Sequence, residues 1–224
     1  MFKTHKDGLN SGNYVVIGNV TVSDYFYIRK NQTVNLIVQP GTILTCKKGI
    51  GCGYDKDGQY STLNIYGTGK IVATGKKYYA GIGGRDNETS SNINIHGTTI
   101  EATGGSYGAG IGGGDEEGTM GIWIYDGTVN ATGGESGAGI GAGEDGGDLR
   151  KAKDGGGVNI LGGTVTAKGG ERGAGIGGGR AENMSGTITI KGDDTVVYAI
   201  AGIKGGAGIG ASSCGGIFQG GNMG

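Results

Sequence analysis

The sequence predicts an all-β fold, a right-handed parallel β-helix with three short strands per coil. Three observations predict it: a repeat of about 29 to 30 residues, apolar/polar alternation of strand type in each repeat, and glycine at most corners. The chain holds 57 Gly and a single Pro among 224 residues, a level that signals low complexity unless a period organises it.

A period does organise it. Three phrases recur in fixed order: an apolar alternation (LNIYG, INIHG, IWIYDG, VNILG, ITIKG), a Thr-rich phrase (KIVATG, TIEATG, TVNATG, TVTAKG), and GAGIG. With Ile65, Ile95, Ile124, Ile160 and Ile190 as markers of the first phrase, the steps are 30, 29, 36 and 30 residues. From there to Ile71, Ile100, Val129, Val165 and Val196 the gaps are 6, 5, 5, 5 and 6, and from those to Ile82, Ile111, Ile140, Ile176 and Ile209 they are 11, 11, 11, 11 and 13. Only the return to the next coil varies, at 13, 13, 20 and 14 residues, so spare length is expected at one corner. Each phrase alternates with the period of a half-buried strand, and none carries a helical stripe. Ile, Val and Ala are expected to stack inside as coil bonds to coil.

Residues 1–60 follow the plan loosely and are read as an N-terminal cap with the first irregular coils; residues 61–224 are the repeat coils of the same single domain. The first part contains NYVVIGNVTVSDYFYIRK and NLIVQPGTILTCKKGIG, and its Tyr14, Tyr25, Phe26 and Tyr27 suit a cap over an open core. In GAGIG, Ala109 and Ile111 are expected to point inward and Gly108, Gly110 and Gly112 outward, leaving a bare flat wall. Gly108 to Gly114 also satisfies the G-x-G-x-x-G spacing of a dinucleotide turn, but acidic or Gly-rich corners follow it where that turn requires a helix. At the other end SSCGGIFQGGNMG begins a further coil at Ile217, so the array is expected to continue in a longer protein.

The phrases TVNATGG and TVTAKGG, each followed by GAGIG, resemble the Gly-rich β-helix repeats (TVTATGG, then GAGIGGG) of large secreted or wall-attached proteins of gut Firmicutes. The resemblance covers roughly Asn35 to Ala211. It departs at the 144–156 insertion and at TVVYAIAGIKGG. It implies a pectate-lyase-like right-handed helix and an extracellular or cell-surface location, and carries no established activity. The opening MFKTHKDGLN lacks the apolar core of a secretory signal, so a leader is expected to have been removed.

Lys plus Arg number 19 against 20 Asp plus Glu, a balance that favours neither nucleic acid nor an anionic membrane surface. No apolar run is long enough to insert into a membrane. Cys46, Cys52 and Cys214 form no zinc-type spacing; a Cys46–Cys52 bridge in an oxidising compartment and free thiols both remain open.

Four surfaces invite chemistry. Tyr66, His96 and Tyr125 follow the first marker in successive coils, with Trp123 on the same outward side and Asn64, Asn94 and Asn159 nearby. Such a strip suits carbohydrate through ring contact and amide hydrogen bonds, with Tyr66, His96, Trp123, Tyr125 and Asn94 as the candidate residues; aromatic stacking that binds nothing is the competing reading. The variable corner gathers acids, and Asp115, Glu117, Glu144 and Asp145 are the candidate ligands of a Ca²⁺ ion, against solvated turn acids. Thr99, Thr128 and Thr164, with Thr74, Thr103 and Thr132, form rows that suit ice binding, interrupted by Lys70, Glu101, Asn130 and Lys168. Last, a polysaccharide lyase or glycosidase would use the mixed charges of the 144–156 insertion. With only His5 and His96 in the chain, no Ser/His/Asp or Cys/His set is legible. The sequence therefore favours a non-catalytic surface module that displays itself and binds glycans or other host or cell-surface components.

Overall fold

A computed structural model describes residues 8–53, 60–145, 157–180 and 186–212. These residues form a parallel β-helix of seven rungs, with one twelve-stranded sheet and one seven-stranded sheet. Every strand pair is parallel and joins one coil to the next, because a chain that repeats its apolar pattern can bury it only against a copy of itself.

The first phrase builds one wall (Gly12–Val16, Thr33–Val38, Thr62–Gly67, Gly157–Ile160 and Thr187–Ile190 among its rungs). The Thr-rich phrase builds the second (Val20–Val22, Ile43–Cys46, Lys70–Thr74, Thr164–Lys168, Val196–Ile200). In two coils the phrases do not separate: Ser90–Thr103 and Thr119–Thr132 are continuous strands of 14 residues spanning both walls. Three short strands per coil therefore describes the other rungs and not these two. The chain rounds that corner through Gly97 and Gly127 in positive φ, with register shifts next to His96, so the ladder bends without ending. The third wall is only the dipeptide Ile-Gly in each repeat, such as Ile82–Gly83 and Ile111–Gly112.

The interior is a set of aliphatic columns. Ile50, Ile82, Ile111, Ile140 and Ile176 stand in register and are fully buried, with Phe26 beneath them. Leu36, Ile65, Ile95, Ile124 and Ile160 make a second column, and Leu44, Ile71, Ile100, Val129 and Val165 a third. Each such side chain removed from water contributes about 1.5–3 kcal/mol.

Residues 12–51 already share these columns, so the first two rungs are ordinary coils. Leu9, bridged to Ile28, and half-buried Tyr14 close the lower end of the described core, while Phe26 lies inside it.

The bare glycine wall is not found. Gly108, Gly110 and Gly112 are all buried. The phrase folds back on itself, Ala109 N–H donating to Gly113 O at 3.0 Å, with the same bond at Ala80, Ala138 and Ala174. Both sides of the phrase thus meet backbone. At Gly112, φ is 138° and a Cβ would collide with the carbonyl of Gly141 in the next coil.

Gly112→Ala should therefore cost roughly 3 kcal/mol or more in chemical denaturation. Gly41→Ala, with φ at 72° but open space around the Cβ, should cost only about 1–2 kcal/mol. Equal losses at the two positions would show that φ, and not the approach of coils, selects these glycines.

Candidate functional site

Outward residues of the first wall fall into columns because strand register brings every equivalent position together. Asn13, Asn35, Asn64 and Asn94 form one column as an amide ladder. Asn35 Nδ2 donates to Asn13 Oδ1 (2.7 Å), Asn64 Nδ2 to Asn35 Oδ1 (2.8 Å), and Asn94 Nδ2 to Asn64 Oδ1 (2.8 Å). Each central amide is satisfied on both sides, and such chains polarise one another.

Two residues further along the strand lies the aromatic column. Tyr66 and His96 stack at 4.7 Å between ring centroids and 13° between planes, and His96 and Tyr125 at 4.5 Å and 5°. His96 is sandwiched, and its lost hydration pulls the imidazole below its ordinary pKa. Tyr66 and Tyr125 remain 37% and 41% exposed.

Trp123 occupies the next place in the asparagine column, between Asn94 and Asn159. It breaks the ladder. Asn159 Nδ2, which would donate to an amide at position 123, is buried without a partner, as is Asn92 Oδ1 opposite Gly121. The structure thus brings Tyr66, His96, Trp123, Tyr125 and Asn94 onto one face. Asn13, Asn35, Asn92 and Gly121 join them unforeseen; the recurrence of Asn at 35, 64 and 94 was the signal available for one of these four positions, Asn35.

On the second wall, Thr99, Thr128 and Thr164 align, as do Thr74, Thr103 and Thr132. Val196 and Lys168 end the rows, and Lys70 pairs with Glu101 at 2.6 Å beside them.

The acidic corner is arranged differently from a calcium site. Glu117 accepts the Thr89 hydroxyl, and Glu144 pairs with Arg180. No three His, Cys, Asp or Glu side chains among the described residues are grouped to hold a metal. The quartet Asp115, Glu117, Glu144 and Asp145 is thus not drawn together around one point, because ordinary partners hold two of its members.

Asp115 stands apart. Burial, then the charges of Glu144, Glu116, Asp86 and Asp145, push its carboxyl up to about 6. Its backbone N–H donates to Tyr78 O, so this corner touches the one carrying stacked Tyr78 and Tyr107 with Lys77 over both rings. Sequence spacing did not show that contact, since the two corners lie on either side of GAGIG.

Cys46 and Cys52 are unbridged and buried, and burial pushes both thiols up to about 12, which leaves them unreactive. Cys214, His5, Ile217 and most of the 144–156 insertion lie outside the described residues.

Four segments, residues 63–84, 93–115, 122–144 and 158–180, match the family model described as a beta helix repeat. This is a β-helix repeat region. Each matched segment opens at an inward residue of the first wall and closes just past the third, and the unmatched residues between them contain the corner of variable length. No curated protein and no solved structure matches the chain.

Within the β-helix repeats, Asn64→Ala would strand Asn35 Oδ1 and Asn94 Nδ2 and should cost about 1–3 kcal/mol, against less than about 1 kcal/mol for Asn13→Ala at the ladder's exposed end. Denaturation curves of the two variants would compare them, and matching costs would deny the ladder a role. Because the folded pKa of His96 is lowered, its contribution is whole above the ordinary imidazole range near 6.5 and is lost as pH falls through the folded value. His96→Phe should therefore gain in melting temperature relative to wild type between about pH 7.5 and pH 5. A constant difference across that range would refute the assignment.

Proposed function

We propose that this β-helix region is a non-catalytic, extracellular surface module of adhesin type whose first wall binds carbohydrate. The observation that carries the reading is the face on which an asparagine ladder runs beside exposed Tyr66 and Tyr125 and meets Trp123. Aromatic and amide groups side by side are what sugars demand, since a pyranose has apolar C–H faces and a rim of hydroxyls. A rigid wall also presents these groups without an ordering cost on binding. The partners would be glycans, or host or cell-surface components that carry them.

A second reading, polysaccharide cleavage, is favoured by Asp115 alone. A carboxyl titrating at about 6 beside Lys77 and the Tyr78–Tyr107 stack has the pKa of a general acid near neutrality.

On a glycan array the wild-type chain should give signals that the triple variant Tyr66→Ala, Trp123→Ala, Tyr125→Ala loses while keeping its far-ultraviolet dichroism. Unchanged signals in that variant would remove the binding reading. New reducing ends or unsaturated products from a polysaccharide, abolished by Asp115→Asn, would replace it with the enzymatic one.

A further inference from the structure

We infer that Trp123, and not the tyrosine–histidine column, is the point where this wall takes a sugar, and that the sugar is uncharged. The inference deepens the carbohydrate reading above and rests on it. In the column most of the ring faces are already used. His96 is covered on both sides by rings nearly parallel to its own, Tyr66 and Tyr125 have each given one face to it, and Ile37 stands in register beneath Tyr66. A face-to-face stack running along the coil axis turns ring edges toward solvent, whereas the C–H face of a pyranose needs a ring face.

Among the described residues the Trp123 indole is in no such stack. Its six-membered ring lies where the Cβ of residue 121 would be, and that is the reason for Gly121: its three nearest neighbours are all atoms of the indole and none is backbone, and its φ needs no glycine. The next coil also carries glycine in this column, Gly157, where a Cβ would meet the carbonyl of Thr187 in the coil beyond.

The two unpartnered amide atoms flank this seat. Asn92 Oδ1 lies in register with Gly121 and Asn159 Nδ2 in register with Trp123. One is an acceptor and the other a donor, and each unmet buried group costs about 1–3 kcal/mol. A sugar hydroxyl donates and accepts at once. Swinging the indole outward onto a sugar ring would uncover both amides and satisfy both. The register neighbours Asn92, Asn94, Gly157 and Asn159 carry no charge, so nothing there would offset desolvation of a carboxylate or sulfate on the ligand.

Trp123 is the only tryptophan in the chain, so its fluorescence reads this seat alone. Neutral cello-, xylo- and manno-oligosaccharides would be titrated into the whole chain, with oligogalacturonate as the charged control. A neutral oligosaccharide should shift the emission saturably. Calorimetry should show binding weakened about ten-fold or more by Trp123→Ala and several-fold less than that by Tyr66→Ala. Asn159→Leu should weaken binding while leaving the melting temperature equal or higher, because it deletes an unsatisfied group; a merely structural Asn159 would lower it.

Full-strength binding by Trp123→Ala, with loss in Tyr66→Ala or Tyr125→Ala, would place the sugar on the column and overturn this assignment while the carbohydrate reading stands. Preference for oligogalacturonate would overturn the uncharged ligand. Absence of any glycan signal from the wild-type chain would end both.

Discussion

Each rung of this chain gives its backbone amides to the rung beside it, about 4.8 Å away, and nearly everything else in the molecule follows from that spacing. A separation so small leaves no choice about neighbours: whatever stands at one position in a coil touches its counterpart above and below. Aliphatics then become interior columns, amides become a hydrogen-bonded ladder, and rings become a stack at 4.5 and 4.7 Å. The same closeness explains the glycines of GAGIG. Where the phrase doubles back, with Ala109 bonded to Gly113, the backbones of adjacent coils meet so tightly that a side chain at Gly112 has nowhere to go.

The fold was legible because period and alternation are properties of the chain alone. Ile82, Ile111, Ile140 and Ile176 recur at nearly constant distance from the first phrase, and only an array with one variable corner does that. What the sequence misled about was the third phrase. Strict alternation suggests a strand with glycine outside, but a strand of two residues followed by a reversal has no outside, and that geometry depends on contacts between coils that spacing cannot express. The merging of phrases in Ser90–Thr103 and Thr119–Thr132 was hidden for a similar reason, since a glycine in positive φ can bend a ladder as readily as end it.

The candidate site was half legible. The shared outward face of Tyr66, His96 and Tyr125 follows from their common offset, and so does the nearness of Asn64 and Asn94. The sense in which the rings face did not, and it decides what they can hold: rings consumed by one another stabilise the wall, as cross-strand pairs do. The acids of the variable corner show the converse. Counted along the chain they looked like a ligand set, but in space Thr89 and Arg180 claim two of them, and Asp115 is left among like charges at a corner shared with tyrosines.

The columns have a consequence for how such a chain can change its length. Since every interior residue answers only to its counterparts in adjacent coils, one whole coil could be removed or duplicated and each surviving side chain would still find the same kind of neighbour. The molecule is thus graduated like a ruler, growing in increments of about 4.8 Å, and genetic slippage by one repeat would alter its reach without asking any residue to learn a new environment.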